Sequence, residues 1–437
     1  MSVNKAQDEY KSKLISADEA AKKVLSGYRL AMPPSPGEPR ALCRAIAKRA
    51  EAGEFAGVEV DNVYTLGVSN PIWDRKLKGK IIPTPLFVGA AQRWSIDDGS
   101  GDFTPVYYQD CTRLYERGYR HLDIFIAEVS PMDKHGYFSF GGSVSNSQSC
   151  ARAAKMVILE ANEKQPVVYG DSFIHISDVD YVIENNEDLP IIPSIPISVM
   201  DETMGRYIAD LIPDGATIQI GVGGVPNAVC KSLIGKKDLG IHTELFGDTM
   251  LDLIEAGIVT NKKKKIHKGK SVFTFALGSR NVYDYVDRNP AVESYQVSYT
   301  NNPEIIAKHD NMIAINATLQ VDLTGQCCSE SIGWKQYSAV GGQADYARGA
   351  YLSEGGKNFL CLYSTAKDGA ISTIVSSLNP GAKVSTQRQS VMYIVTEYGV
   401  ATMIGKSLRQ RAQELIHIAH PNFREQLTAE TRKMAIL

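Results

Sequence analysis

The sequence predicts an α/β protein: two similar open α/β domains with largely parallel sheets, and an active site in the crevice between them. Three observations carry that expectation. Short runs rich in Val, Ile, Phe and Tyr alternate with helical stretches in both halves, as in Asp123-Ile-Phe-Ile-Ala-Glu-Val and Ser271-Val-Phe-Thr-Phe-Ala-Leu. A strand–loop–helix pattern occurs twice: Gly27-Tyr-Arg-Leu-Ala-Met leads into Glu38-Pro-Arg-Ala-Leu-Cys, and Gly215-Ala-Thr-Ile-Gln-Ile leads into Val225-Pro-Asn-Ala-Val-Cys. Pro39, Ala41 and Cys43 thus match Pro226, Ala228 and Cys230, with proline in the first helical turn of each copy; three matches over so short a span also arise by chance. Between the copies, Glu184-Asn-Asn-Glu-Asp-Leu-Pro and Ile191-Ile-Pro-Ser-Ile-Pro resist helix and suit an extended linker.

With 437 residues the chain is too long for one core. The boundary falls at the linker, giving an N-terminal α/β domain over 1–190 and a C-terminal one over 191–437.

Composition narrows the function classes. A net charge of -2 and a pI near 6.5 argue against nucleic-acid or membrane-surface partners, which call for a basic face. No apolar run is long enough to span a bilayer and the N-terminus is polar, so a cytoplasmic protein is expected. Five of the seven cysteines stand alone and Cys327 and Cys328 are adjacent, so reduced packing thiols are expected and no metal site.

The strongest chemical candidate is Ile218-Gln-Ile-Gly-Val-Gly-Gly-Val-Pro-Asn-Ala. Gly221, Gly223 and Gly224 let main-chain N–H groups approach a ligand oxygen at a helix N-terminus; a tight strand-to-helix turn needs the same glycines. The dinucleotide pattern GxGxxG competes, but Pro226 stands where its third glycine belongs; Glu244 does lie at about its acidic spacing, which keeps a nicotinamide enzyme open.

Gly240-Ile-His-Thr-Glu-Leu-Phe reads as an alternating strand with His242, Glu244 and Phe246 on one face, followed by a helix capped by Asp248 and stopped at Gly257. On its own a strand-end glutamate such as Glu244 reads more readily as a solvated or ion-paired charge than as a catalytic group. Gly341 and Gly342, in Ser338-Ala-Val-Gly-Gly-Gln-Ala-Asp-Tyr, suggest a second main-chain approach or a surface turn, and Lys367 follows the next strand. The lysine run 262–265 reads as a solvated loop, and His135 as part of a turn before an aromatic strand.

Together these segments resemble the class I coenzyme A transferases, in their 4-hydroxybutyrate, butyrate and acetate branch with the related acetyl-CoA hydrolases. Six landmarks over nearly the whole chain carry the resemblance: the stretches beginning Val129-Ser-Pro-Met-Asp-Lys-His-Gly, Gly221-Val-Gly-Gly-Val-Pro, Gly240-Ile-His-Thr-Glu, Val321-Asp-Leu-Thr-Gly-Gln, Gly341-Gly-Gln-Ala-Asp-Tyr and Thr396-Glu-Tyr-Gly. Cys327-Cys328 departs from the pair expected after Gln326 and puts the substrate-side wall in doubt.

The resemblance implies that Glu244 is the nucleophile and becomes a glutamyl-CoA thioester in a ping-pong reaction. It implies that Gly221, Val222, Gly223, Gly224 and Val225 line the CoA site, and that Gly341, Gly342 and Lys367 contact CoA, Gly342 being the favoured oxyanion donor. It implies a short-chain acyl-CoA thioester and a free carboxylate as substrates, no permanently bound cofactor, and a homodimer or a multiple of one. The alternatives are acyl-CoA hydrolysis through the same glutamate and a nicotinamide-dependent oxidoreductase.

Overall fold

The computed structural model describes residues 3–67, 70–192, 195–221 and 223–436. They form two compact units that are interleaved in sequence. The first comprises Met1–Pro193, Glu244–Asp248 and Val272–Thr300; the second comprises Ser194–Thr243, Thr249–Ser271 and Asn301–Leu437.

The first unit is built on six parallel strands, β1 (Arg29–Met32), β2 (Val58–Asn62), β3 (Ile81–Pro83), β4 (Ile124–Val129), β5 (Met156–Ala161) and β6 (Tyr181–Glu184), in the order β3-β2-β1-β4-β5-β6. Every residue of β4 is buried, as a parallel strand covered on both faces requires, and this is why its sequence is apolar on both faces, interrupted only by Glu128, rather than alternating.

The second unit repeats the plan with β7 (Thr217–Ile220), β8 (Gly240–Ile241), β9 (Met312–Ala317), β10 (Lys357–Cys361), β11 (Tyr393–Thr396) and β12 (Gly399–Thr402), ordered β8-β7-β9-β10-β11-β12. Its pairings are parallel except the edge hairpin β11–β12. The mixed α/β architecture with largely parallel sheets is thus as the sequence predicts.

The suspected duplication has a topological counterpart. β1 and β7 are alike in connection, each the first strand of its sheet and flanked by the next strand on one side and a later one on the other, although β1 lies third from its sheet edge and β7 second. Each feeds a helix, α1 (Arg40–Glu51) from β1 and α3 (Gly224–Ser232) from β7, with α2 (Val199–Asp210) preceding β7. The prolines are offset: Pro39 is the N-cap of α1, whereas Pro226 is the third residue of α3. Of the expected linker, residues 185–192 have no regular secondary structure, and Pro193 and Ser194 lie outside the described residues.

The two helix starts differ in chemistry. At α1 the N–H groups of Ala41 and Leu42 donate to the two oxygens of Glu160 from β5, at 3.1 and 2.9 Å. The carboxylate fills the positive end of that helix. α3 has Gly223 as its N-cap and no side-chain cap.

Candidate active site

The strand expected over 240–246 is broken, which corrects that reading. β8 ends at Ile241, Glu244 sits in a bend, and Leu245–Phe246 joins a different ribbon, pairing with Phe275–Ala276. His242 and Glu244 therefore do not share a strand face. His242 is fully buried in the second unit, its Nδ1 3.2 Å from His309 Nε2, and burial holds His309 well below the usual histidine range.

Glu244 belongs to the first unit. Its carbonyl accepts from the N–H groups of Thr274 and Phe275, both at 3.1 Å, and its side chain is half-buried. Tyr108 is buried close by: burial first, then the Glu244 charge, raises its phenol far above the ordinary value, so it stays protonated, hydrogen-bonded to Ser145 Oγ at 2.7 Å. Tyr64 packs against Phe275 and Phe87, with ring centroids 6.3 and 5.9 Å away, so the chain beside Glu244 is aromatic. The helix Asp248–Glu255 stops at Gly257 as expected, in the left-handed region. Asp248 is its first residue and accepts from Ser279 N–H at 2.8 Å.

In the second unit the glycine loop leaves the carboxyl end of β7 where strand order reverses between β8 and β9, the place where open α/β sheets bind ligands. Gly221 N–H is already engaged, donating to Ile315 O at 3.0 Å in continuation of the β7–β9 ladder. Gly223 has φ +143, which favours glycine. Val222 lies outside the described residues, and Val225 is buried.

At Gly224 a Cβ would stand 2.5 Å from Asp201 Oδ2. Asp201 is itself fixed by the capping box with Ser198 and by the Tyr363 hydroxyl at 2.7 Å. Gly224→Ala should therefore cost about 1–3 kcal/mol, because the clash falls on a buried, hydrogen-bonded carboxylate. Thermal unfolding checks it; an unchanged midpoint would mean that Asp201 yields freely.

Gly341, at φ +55, precedes Gly342, the N-cap of α4 (Gln343–Leu352), so this segment opens a helix rather than a surface turn. Gly342 is buried, and its N–H donates to no group among the described residues. Lys367 is exposed at the tip of the hairpin Thr365–Ala366/Ile371–Ser372.

His135 is exposed in the turn before Tyr137–Ser139. All seven cysteines are free and buried; Cys327–Cys328 pairs with Gln320–Val321, and Cys328 Sγ lies 3.2 Å from Ser331 O. Among the described residues no group of three His, Cys, Asp or Glu is placed to hold a metal, and no helix is long and apolar enough to cross a membrane.

Sequence reasoning missed the buried polar groups. Glu128, Glu160 and Arg40 lie at the carboxyl end of β4, in β5 and at the start of α1, with Arg40 Nη2 3.3 Å from Glu128 Oε2. Only charges inside apolar strand runs hinted at them.

The family model of the acetyl-CoA hydrolase/transferase N-terminal domain matches residues 1–193, and that of its C-terminal domain matches 278–431. The chain belongs to the acetyl-CoA hydrolase/transferase family, and within it is a coenzyme A transferase. It is 45% identical to succinyl-CoA:cyclohexane-1-carboxylate CoA transferase of Geobacter metallireducens, over 98% of this chain and 97% of that one. It is 43% identical to 4-hydroxybutyrate coenzyme A transferase of Clostridium kluyveri, over 97% and 98%. Among solved structures, RipA from Yersinia pestis superposes with a TM-score of 0.93 at 40% identity, covering 99% of this chain and 100% of that one.

Proposed function

We propose that the protein moves CoA between a short-chain acyl-CoA and a free carboxylate of the 4-hydroxybutyrate, butyrate or acetate type, through a thioester on Glu244. One observation carries the reading: Glu244 stands in a bend whose carbonyl is pinned by two successive N–H groups, with its carboxylate half-buried near a protonated tyrosine. A carboxylate is a weak nucleophile in water; partial desolvation and fixed placement are what it needs.

Glu244 attacks the acyl carbonyl, the carbon–sulfur bond breaks, and CoA leaves as thiolate with a mixed anhydride behind. The thiolate then attacks the glutamyl carbonyl, expelling the acyl group as a free carboxylate and leaving glutamyl-CoA. An incoming carboxylate reverses the two steps. Each tetrahedral intermediate carries an oxyanion, for which the buried N–H of Gly342, engaged by no group among the described residues, is the donor we favour.

The loop Gly221–Val225, with Gly341, Gly342 and Lys367, would hold CoA. The aromatic surroundings Tyr64, Phe87 and Phe275 suit a small apolar acyl group. CoA is a substrate, not a resident cofactor, and we expect a cytoplasmic homodimer or a multiple of one.

The test is a panel of acyl-CoA donors against carboxylate acceptors, with mass spectrometry of protein exposed to donor alone. Transfer that requires an acceptor, plus CoA attached at Glu244, supports the reading. Release of CoA at full rate without any acceptor would make the enzyme a hydrolase instead.

Because remote binding energy is spent on aligning Glu244, thioesters lacking the nucleotide should lose kcat as well as affinity. A truncated thioester with an unchanged kcat and only a raised KM would refute that use of CoA binding.

A further inference from the structure

The lysine run 262–265 is not uniformly solvated. Lys262 and Lys263 are exposed and Lys265 pairs with Asp310 at 2.8 Å, but Lys264 is only 3% exposed. Its Nζ donates to Ile241 O at 2.7 Å and to Lys270 O at 2.6 Å.

The reason lies in β8, the edge strand of the second sheet. Gly240 and His242 direct their N–H groups to Ala216 O and Ile218 O around β7, which leaves the N–H and C=O of Ile241 facing the open edge. The loop after Val259 covers that edge with side chains. Asn261 Oδ1 accepts from Ile241 N–H at 2.8 Å, Asn261 Nδ2 donates to Ser271 Oγ at 3.0 Å, and the Lys264 ammonium takes the Ile241 carbonyl. Gly240 lets this happen: a Cβ there would stand 2.7 Å from Lys264 Cγ, so the glycine at the head of Gly240-Ile-His-Thr-Glu makes room for the lysine stem.

The two carbonyls joined by Lys264 start the two chain segments that define Glu244. Three residues after Ile241 comes Glu244 itself. Four and five residues after Lys270 come Thr274 and Phe275, whose N–H groups hold the Glu244 carbonyl. A single buried ammonium thus joins both segments upstream of the point where they meet again. Charge-assisted hydrogen bonds of this kind are stronger than neutral ones.

We propose that Lys264 is a positioning residue for the nucleophile: its ammonium clamps the backbone of Ile241 and Lys270 so that Glu244 is presented in one attack geometry. The proposal rests on Glu244 being the nucleophile, and the test separates the two claims.

Lys264→Met, which keeps the stem and removes the charge, is measured in the full chain for kcat and KM of acyl-CoA, with active sites counted as trapped covalent CoA. The expected result is a kcat per titrated site lower by roughly 10- to 100-fold with KM within about threefold, the signature of lost alignment rather than lost binding. Asn261→Gly, which releases the Ile241 N–H and keeps Lys264, should lower kcat in the same sense by less.

A wild-type kcat per titrated site in Lys264→Met would overturn the proposal, since a residue that merely stabilises the fold lowers the number of sites and not the rate at each. If Lys264→Met does not yield folded protein, Gly240→Ala, whose Cβ displaces the stem, is read by the same two criteria. Glu244→Ala runs in parallel: transfer retained there removes the nucleophile reading, whereas a normal rate per site in Lys264→Met removes only the clamp.

Discussion

Glu244→Gln is expected to lose CoA transfer by a factor on the order of 10⁴ or more while folding normally, because removal of a covalent nucleophile eliminates the intermediate and not merely its stabilisation. The amide keeps the size of the side chain. The Glu244 carbonyl bonds to Thr274 and Phe275 are made by backbone and are indifferent to the substitution. The loss should therefore fall on kcat, with acyl-CoA still bound.

Two measurements check this: transfer rate with a carboxylate acceptor, and mass of the protein after exposure to acyl-CoA. The wild type should gain the mass of CoA less one water at Glu244, and the variant should gain nothing. Transfer by Glu244→Gln within tenfold of wild type would rule out a glutamyl thioester.

The second large effect concerns stability. Glu128 is fully buried; desolvation, opposed by Arg40 and reinforced by the neighbouring Glu160, pushes its carboxyl up from 4.5 to about 8. Although Arg40 lies within ion-pair distance, its attraction does not make up for the water lost. The fold thus favours the protonated acid. Its contribution is fully present below about pH 4.5, declines as the unfolded chain ionises above that value, and is gone once pH passes about 8.

Between about pH 5 and pH 8 this single group should remove roughly 3 kcal/mol of stability. Glu128→Gln has no proton to lose, and its amide oxygen can still accept from Asn162 and Gln165, which reach Glu128 Oε1 at 3.0 and 3.2 Å. The thermal midpoint of the variant should rise relative to wild type as pH goes from 5 to 8. A difference that stays constant across this range would show that Glu128 is ionised throughout.

Both effects arise from carboxylates in apolar surroundings, but they were not equally legible. Glu244 could be singled out because a short, distinctive motif surrounds it and the family resemblance assigns it a role. Glu128 and Glu160 sit inside ordinary-looking strand runs, and what makes them unusual is contributed by Arg40 and by the helix start at Ala41 and Leu42, about 90 to 120 residues away. Asp201 is legible as a capping residue of α2, yet its approach to Gly224 comes from the close packing of α2 on α3.

The sequence by itself determined the α/β class, the parallel sheets, the repeated strand–helix unit, the buried thiols and the identity of the motif residues. These depend on periodicity and local steric rules, which act over a few residues. The tertiary structure alone decided that the Gly240–Phe246 strand breaks at Glu244, that one lysine of four is buried, and that one copy of the repeated helix start is filled by Glu160 while the other is left without a side-chain cap. The physical reason is common to all three: each depends on which distant group takes up a backbone hydrogen bond, and alternation along a strand carries no record of that partner.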